Sequence, residues 1–377
     1  MPDALLHTDT RLNALRRAMS DAGLDHLLVT SRENVRYLSG FTGSSGWLLI
    51  GVDSRVLLTD FRYREQAAHE SPQWSTEIIS AGLHGAVRDV IAQDSVRRIG
   101  YESAHLSVRD FEQLTASDDA DTPVDSTHTN TTEWVSTHGL VEHGMTFKDA
   151  AEIETIARAA ELTDRLFSEL INFVHIGVTE REIAAEAEYR ARKLGGDGLA
   201  FPPIVASGPR AALPHATPTD RAIQPGDMIT FDLGVCFNGY ASDMTRTVAV
   251  QSVTDKLRKV YDLVLRAQVA ALDAVRPGMN CAELDGIARQ IIADAGHAEH
   301  FGHSLGHGVG LRVHEAPALS WRATESVLEP EMIVTIEPGV YLPGWGGVRI
   351  EDLVVVTEAG RRVLSQSTKD LLIVGKN

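Results

Sequence analysis

The sequence is poor in cysteine and short of basic residues. Cys236 and Cys281 are the two cysteines among 377 residues, and two are too few for a disulfide framework. Lysine and arginine together number 35, against 52 aspartates and glutamates, so the net charge is -17. This surplus of negative charge disfavours a phosphate backbone or an anionic membrane as a partner and favours a cation. We therefore expect no nucleic-acid partner and no membrane partner.

Long apolar runs are also missing. No stretch is long enough to span a bilayer, and the first residues, MPDALLHTDTRLNALRRAMSDAG, lack the apolar core of a signal peptide. The scarcity of cysteine and the missing signal-peptide core lead us to expect a cytoplasmic protein. The composition that remains, 43% hydrophobic and 23% charged residues, is typical of globular proteins, and the length suffices for two domains.

The apolar pattern predicts where those domains lie. In the first part, helical patterns alternate with the short apolar strands HLLVTS, GWLLIGV, RVLLTDF and VRRIGYE, as in an α/β domain. Residues 115–134 are rich in Asp, Ser and Thr and have no apolar period, which predicts a loop and linker. We expect an N-terminal domain over residues 1–137 and a second domain over 138–377. An amphipathic helix is predicted from Ile153 to Val174, and it should pack on a sheet.

The second domain repeats itself faintly. Moving the sequence by 101 residues aligns IGVTEREIAAEA with PGMNCAELDGIA, matches Gly177 to Gly278, and matches Gly195 to Gly296. Chance similarity between two helical patterns is one explanation. The other is a true repeat, which predicts two similar α/β halves related by a pseudo-two-fold, with a crevice between them where sites tend to lie.

One predicted hairpin carries an Asp in each arm. In ITFDLGVCFNGYASDMTRTVAV, a two-residue turn at Asn238 and Gly239 would pair Asp232 with Thr245 and make Asp243 its diagonal neighbour. The two carboxylates would then share a face roughly 7 Å apart. Their repulsion, of order a few kcal/mol at an effective dielectric of about 20, requires a neutralising partner.

The last third of the sequence offers suitable partners for such a cation. HFGHSLGHGVGLRVHEAP contains four histidines, VTIEPGVY ends an apolar strand with Glu337, and GVRIEDLVVV places Glu351 inside another. His303 and His307 are four residues apart, but the surrounding glycines disfavour a helix, so this is not the helical zinc-protease signature. Singly, each such residue is more often structural than functional. Together, four carboxylates and an imidazole suit Mn²⁺ or Co²⁺, with Zn²⁺ an alternative, and could hold two ions.

Several segments carry a family resemblance. ASGPRAALPHATPTDRAIQPGDMITFDLGVCFNGYASDMTRT, GHSLGHGVGLRVHEAP, TIEPGVY and GVRIED resemble the pita-bread metallopeptidases, the family of aminopeptidase P, prolidase and methionine aminopeptidase. The similarity spans nearly all of residues 150–375, and YLSGFTGSSGWLLI with LLTDFRYREQA resembles the N-terminal domain of the proline-directed members. It implies a creatinase-N-like α/β domain followed by an α+β pita-bread catalytic domain with a pseudo-two-fold internal repeat.

The resemblance also implies the site. By position it makes a dinuclear metal centre of Asp232, Asp243, His307, Glu337 and Glu351. By the same transfer the substrate site is lined by His215, His303 and His314, with Arg349 beside the metal-binding strand. Two divalent ions, Mn²⁺ in first place, would activate a water whose proton Glu337 takes. In EHGMTFKD the chain lacks an Arg that members of the family often have.

The expected activity is that of a dinuclear-metal Xaa-Pro aminopeptidase, aminopeptidase P-like, acting on peptides with proline at the second position. Prolidase, an Xaa-Pro dipeptidase, is the alternative, with Arg349 or Arg210 as the cation for the free carboxylate. A methionine aminopeptidase-like activity ranks lower because of the N-terminal domain. A metal-free creatinase-like hydrolase, or a binding protein of this fold, would be expected to have lost ligands. The family further implies a homodimer, and Trp345 is either a pocket wall or a packing residue.

Overall fold

The structure, a computed structural model, describes residues 2–80, 82–94, 96–116 and 132–375. The chain forms two compact units, Met1–Met145 and Thr146–Asn377, so residues 138–145 belong to the first unit. The boundary at 137/138 stays a prediction. Of the linker expected over 115–134, residues 117–131 lie outside the described residues, whereas Glu133 and Trp134 begin a strand, and there the loop prediction is wrong. In the part of the chain that is described, no helix has the length and apolarity to cross a membrane.

The first unit is an α/β structure built on one six-stranded sheet. Its helices are α1 (Pro2–Asp21), α2 (Arg32–Ser39), α3 (Arg64–Glu70), α4 (Leu83–Gln93), α5 (Val108–Thr115) and α6 (Leu140–Thr146). Its strands are β1 (His26–Val29), β2 (Gly46–Gly51), β3 (Arg55–Asp60), β4 (Ser75–Ile79), β5 (Arg98–Glu102) and β6 (Glu133–Thr137). The sheet order is β4-β3-β2-β1-β5-β6. The four strands predicted from apolar runs are β1, β2, β3 and β5, because Leu28, Leu49, Leu58 and Ile99 supply the core.

The second unit combines four helices with two larger and two smaller sheets among its described residues. The helices are α7 (Ala150–Leu170), α8 (Glu180–Lys193), α9 (Asp255–Ala274) and α10 (Cys281–Asp294). The strands of its first part are β7 (Gly198–Leu199), β8 (Ile204–Ser207), β9 (Met228–Leu233), β10 (Val235–Phe237), β11 (Tyr240–Ala241) and β12 (Met244–Val250). The later strands are β13 (Gly306–Gly308), β14 (Glu315–Leu319), β15 (Ile333–Ile336), β16 (Gly339–Leu342), β17 (Gly346–Arg349), β18 (Asp352–Thr357), β19 (Gly360–Val363) and β20 (Ile373–Val374). The sheets are β20-β12-β9-β8, β14-β13-β15-β18-β19, β11-β10-β7 and β16-β17.

The helix predicted from Ile153 is confirmed as α7, although it ends at Leu170 and not at Val174. It begins with a capping box, in which the Asp149 side chain accepts from backbone N–H groups of the first turn and Glu152 reaches back to the Asp149 N–H. Its buried face packs on both larger sheets: Ile156 lies in a cluster with Leu353 and Val355, and Leu166 lies in one with Val205 and Phe231. The three-four spacing of apolar residues in α7 therefore reflects the packing of this helix on the two sheets.

The internal repeat is visible in matched elements. Helices α8 and α10 are both 14 residues long and begin after the capping residues Thr179 and Asn280. Each cap follows a glycine with positive φ, 90° at Gly177 and 77° at Gly278, where a side chain would strain the backbone. Equivalent antiparallel bridges join Thr179 to Ala222 and Asn280 to Val327. These pairs confirm the pseudo-two-fold repeat read from the sequence.

The hairpin of β9–β12 has the predicted register. Asp232 pairs with Thr245, and the turn has positive φ at both Asn238 (45°) and Gly239 (72°), as a two-residue hairpin loop requires. The strands are interrupted at Gly234, where a Cβ would lie 2.1 Å from the Ser242 carbonyl oxygen. Asp243 stands at this interruption, immediately before β12.

Candidate metal centre

The predicted site residues come from separate elements and meet in one cavity of about 470 Å³ within the second unit. Asp232 lies in β9, His307 in β13, Glu337 directly after β15, and Glu351 between β17 and β18. The cavity is lined by all nine residues that the sequence analysis selected: Asp232, Asp243, His307, Glu337, Glu351, His215, His303, His314 and Arg349. Both halves of the repeat therefore contribute to a single site.

Three of these side chains could hold one ion. Asp243, His307 and Glu351 each offer one ligand atom, and these atoms lie within 4.8 Å of one another. The Nδ1 of His307 lies 3.1 Å from the Gly308 carbonyl oxygen, which can only accept, so Nδ1 carries the proton. The other ring nitrogen, Nε2, then faces Asp243 Oδ2 at 3.7 Å and Glu337 Oε1 at 3.3 Å. An imidazole held through one nitrogen presents the other as an oriented ligand.

The carboxylates crowd one another. Burial and the charge of Glu351 raise the pKa of Asp243 well above its usual range. Burial and the charge of Glu337 do the same to Glu351. Burial also raises the pKa of Asp232, although the guanidinium of Arg349 opposes this. Because these acids resist ionising together, a divalent cation would stabilise them strongly.

Glu337 and His307 form an ion pair in this cluster. Burial disfavours the charge on Glu337, yet the hydrogen bond from His307 holds the pKa of this carboxylate at about 2. Burial likewise opposes the charge on His307, and the same hydrogen bond raises the pKa of the imidazole. This contact lies in the direction in which Nε2 would bind a metal ion, so Nε2 cannot serve Glu337 and an ion at once.

Two buried carboxylate oxygens of the cavity-lining residues have no hydrogen-bond partner among the described residues. They are Asp232 Oδ1 and Glu351 Oε1. The second oxygen of each carboxylate accepts a hydrogen bond. Arg349 Nη2 donates to Asp232 Oδ2 at 2.6 Å, and Thr245 Oγ1 donates to Glu351 Oε2 at 2.6 Å. Buried carboxylate oxygens are costly when unpaired, and oxygen is the donor that hard divalent ions prefer. The residues present therefore fit a metal centre.

The three imidazoles expected at the substrate site differ. His215 and His314 are exposed at the cavity, and the ring of His314 lies 4.2 Å from that of His307. Neither makes a side-chain hydrogen bond within the described parts of the chain. His303 is occupied at both nitrogens, because Nδ1 lies 2.8 Å from the Ser304 carbonyl oxygen and Nε2 lies 2.8 Å from the Tyr341 hydroxyl.

Sequence reasoning missed three residues that orient the site. Thr245 binds Glu351, and Thr335 Oγ1 donates to Glu337 Oε1 at 3.0 Å. Each threonine lies two positions along a strand from a site carboxylate, Asp243 or Glu337, so the alternation of strand faces could have found both. Tyr341, whose hydroxyl also accepts from Arg349 Nη1 at 2.8 Å, lies within β16, and no periodic signal marks it.

The two arginines considered for substrate carboxylate binding already have protein partners. Arg349 donates to Asp232, Thr245, Tyr341 and the Pro214 carbonyl. Arg210 donates to Glu180 and to the Thr217 carbonyl, and it does not line the cavity. Trp345 does not line the cavity either; it packs on the core, with Lys256 Nζ 4.4 Å from its ring centroid, so the packing alternative holds.

Apolar groups form much of the remaining cavity wall. They belong to three loops and one strand, and comprise Phe201, Pro202, Pro203, Ile204, Pro214, Pro218 and Val313. A small apolar ring without a donor would fit such a wall better than a polar side chain.

Comparison with known proteins agrees with this geometry. The model of metallopeptidase family M24 matches residues 154–358, and that of the creatinase/prolidase N-terminal domain matches residues 11–133. A Xaa-Pro dipeptidase of Pyrococcus furiosus is 35% identical over 363 residues, which cover 96% of this chain and 99% of the relative.

Two solved structures are similar throughout. A Xaa-Pro dipeptidase from Bacillus anthracis aligns with a TM-score of 0.91 and 38% identity, covering 97% of this chain and 100% of its own. An X-Pro aminopeptidase from Thermotoga maritima aligns with a TM-score of 0.84 and 36% identity, covering 93% and 98%. The expected architecture, an α/β N-terminal domain followed by a pita-bread domain, is thereby confirmed.

Proposed function

We propose, from the premise that the chain belongs to metallopeptidase family M24, that it hydrolyses the bond between an N-terminal residue and a following proline and prefers Xaa-Pro dipeptides. The observation that carries this proposal is the cavity, where a carboxylate and imidazole cluster with two unpaired oxygens faces two open imidazoles. The dipeptidases of Pyrococcus furiosus and Bacillus anthracis support the substrate length.

The metal ligands in this proposal are Asp232, Asp243, His307, Glu337 and Glu351. Together they would hold two divalent ions, Mn²⁺ in first place and Co²⁺ or Zn²⁺ as alternatives. Two ions at such a site lower the pKa of a bound water and polarise the scissile carbonyl. Asp232 would bind through Oδ1 and Glu351 through Oε1, since the other oxygens accept from Arg349 and Thr245.

The proton of the attacking water goes to Glu337 in this mechanism. The carboxylate is ionised without a metal because His307 donates to it. His307 would hold an ion through Nε2 only with that nitrogen unprotonated, and Glu337 would then no longer accept a hydrogen bond from it. Thr335 holds one Glu337 oxygen and leaves the second to act.

The histidines divide the remaining work. His215 and His314 donate to the oxyanion of the tetrahedral intermediate, since their ring nitrogens are open at the cavity. His303 keeps Tyr341 in place, and Tyr341 with Arg349 fixes the orientation of Asp232. Arg349 therefore acts beside the metal ligands and not as a carboxylate anchor.

Proline suits this cavity for a chemical reason. A peptide bond to proline has no N–H, so the substrate lacks the donor that a general aminopeptidase would bind at this position. The apolar wall formed by Phe201, Pro202 and Pro203 offers a surface for the pyrrolidine ring.

A Xaa-Pro aminopeptidase acting on longer peptides is the second candidate. The Thermotoga maritima structure favours it, and the sequence alone led to this expectation. The named dipeptidases favour the shorter substrate, so the order of the two candidates is reversed here.

The test compares kcat/KM for Ala-Pro, Ala-Pro-Pro and Met-Ala-Ser with Mn²⁺ present. We expect Ala-Pro to be hydrolysed at least about tenfold more efficiently than Ala-Pro-Pro, and Met-Ala-Ser to resist. Asp243→Ala is the inactive control. Preference for the tripeptide Ala-Pro-Pro would establish the aminopeptidase, and cleavage of Met-Ala-Ser would refute proline specificity.

The homodimer stays a prediction of the family resemblance, and the cytoplasmic location stays a prediction from the composition and the first residues. Light scattering on the purified full chain would test the first.

A further inference from the structure

The segment that carries His303 is short and irregular. Residues 301–305 connect a 3-10 turn (Ala298–His300) to β13 and belong to no helix or strand, although the Leu305 carbonyl oxygen accepts from the Glu337 N–H at 2.8 Å. Yet Phe301 and Leu305 are buried, with exposed fractions of 2% and 0%. Buried backbone groups need partners, and regular structure does not supply them here.

Helix α10 supplies those partners through one ion pair. Asp285 and Arg289 lie four residues apart, and the guanidinium binds both carboxylate oxygens, Nε to Oδ2 at 2.7 Å and Nη2 to Oδ1 at 2.8 Å. Arg289 also donates to the carbonyl oxygens of Phe301 at 2.7 Å and His303 at 2.9 Å. Asp285 Oδ1 accepts from the Leu305 N–H at 3.0 Å. The pair therefore binds the backbone on both sides of His303.

The guanidinium is also held by aromatic rings. Its central carbon lies 4.3 Å from the ring centroid of Phe301 and 4.5 Å from that of Trp321. A planar, multidentate cation is required for this combination of stacking and hydrogen bonding, and an ammonium group cannot replace it.

The position of the 301–305 backbone affects the cavity through the hydrogen bonds of the His303 ring. Nδ1 of His303 binds the adjacent Ser304 carbonyl, and Nε2 binds the Tyr341 hydroxyl, which in turn accepts from Arg349. The edge of Phe301 also contacts this imidazole, with ring centroids 5.1 Å apart. A displaced His303 backbone would break the hydrogen bond to Tyr341 and free Arg349 to move.

We propose that Asp285 and Arg289 are positioning residues for the reaction: the pair fixes residues 301–305 and thereby the tautomer and place of His303. This inference rests on the proposed function, because the process it serves is hydrolysis in the cavity. Neither residue lines that cavity, so both act through His303.

Metal binding through His307 should be largely independent of the Asp285–Arg289 pair. His307 lies in β13, which pairs with β14 and β15, and its N–H binds Thr335 Oγ1 at 3.1 Å. These contacts hold His307 without Arg289. Loss of the pair should therefore affect turnover more than metal content.

The kinetic arm uses Arg289→Lys in the full chain. We expect kcat for Ala-Pro to fall about tenfold, with KM changed less than about threefold and metal stoichiometry kept, because a misplaced group slows the chemical step. Arg190→Lys is the matched control. Arg190 also binds a carboxylate four residues away, that of Glu186, at 2.6 Å. Its side chain is 24% exposed, and that of Arg289 is 26% exposed. Unlike Arg289, Arg190 does not bind a loop of the cavity.

The spectroscopic experiment does not depend on catalytic activity. In ¹⁵N-histidine spectra, with His303 assigned from a His303→Asn variant, the wild type should show His303 protonated at Nδ1. Arg289→Lys should shift or broaden the His303 signals and leave those of His215 in place. Trp321→Ala, which removes one stacking ring, should cause a smaller shift in the same direction.

The two arms separate the two proposals. Unchanged His303 signals in both Arg289→Lys and Trp321→Ala would overturn the positioning role, and so would an equal shift in Arg190→Lys. A wild type that hydrolyses no Xaa-Pro peptide would overturn the proposed function, whereas the His303 spectra would still decide the positioning role.

Discussion

The two halves of the second unit secure their cavity histidines differently. In the first half, Glu180 of α8 accepts hydrogen bonds from the backbone and hydroxyl groups of Ser207 and Thr219, at the two ends of the loop that carries His215. In the second half, α10 binds the short segment around His303 with an ion pair at three backbone groups.

The consequence is seen in the imidazoles. His215 lies midway along a loop held at its ends, and its ring is exposed at the cavity. His303 lies inside a segment held along its length, and both its ring nitrogens have partners. One repeat thus presents an imidazole that is exposed at the cavity, and the other holds its imidazole against the Tyr341 hydroxyl.

The largest expected effect comes from removing one ligand in each half. Asp243→Ala and Glu351→Ala should each lower kcat/KM by about 10³-fold or more and reduce metal binding, since both carboxylates face the same cluster. Kinetics and metal analysis after dialysis measure this. The metal-free variants should be no less stable than metal-free wild type, because burial and neighbouring carboxylates disfavour the charge that is removed. A variant with full activity would refute the shared centre.

A smaller effect on activity is expected from replacing the two imidazoles that are exposed at the cavity, those of His215 and His314. His215→Ala and His314→Ala should lower kcat by about 10²-fold with metal content nearly intact, because each loses a donor to the transition state. His307→Ala, by contrast, should lose metal. Parallel measurement of kcat and metal stoichiometry decides between the roles, and equal metal loss in all three variants would contradict this division.

The smallest effect concerns stability. Burial opposes the charge on Glu180, yet hydrogen bonds from Ser207 and Thr219 hold the pKa of its carboxylate below the ordinary 4.5. Its stabilisation is therefore present above pH 4.5 and is lost as the pH falls through the lowered pKa. Glu180→Gln should reduce the free energy of unfolding at pH 7 by about 1–3 kcal/mol.

Urea unfolding between pH 7 and pH 3 would check this, with Glu186→Gln as the control on the same helix. The difference between wild type and Glu180→Gln should shrink at the acid end. A constant difference across the range would show that the Glu180 charge does not support the loop.

The fold was largely predictable from local pattern. Apolar runs marked β1, β2, β3 and β5, the three-four period marked α7, and the turn at Asn238 and Gly239 set the hairpin register. These signals are local, because each arises from one element facing a core. The prediction of a loop was wrong at Glu133 and Trp134. There β6, a strand at the sheet edge, pairs with β5 without an apolar run of its own.

The residues of the site were predictable from the sequence, but the hydrogen bonds among them were not. Family resemblance selected nine residues that the structure brings to one cavity, and their roles as ligands stay predictions. The hydrogen bonds among them could not be read from sequence, because they join distant positions. Arg349 and Asp232 are 117 residues apart, and His303 and Tyr341 are 38 apart, so only the folded chain defines each pair.

The central claim is that this cavity holds two divalent ions. Anomalous scattering at the manganese edge, from crystals of the full chain grown with Mn²⁺, tests it most directly. Two peaks are expected in the cavity, one among Asp243, His307 and Glu351 and one against Asp232 Oδ1. An empty cavity in crystals of protein that hydrolyses Ala-Pro would contradict it.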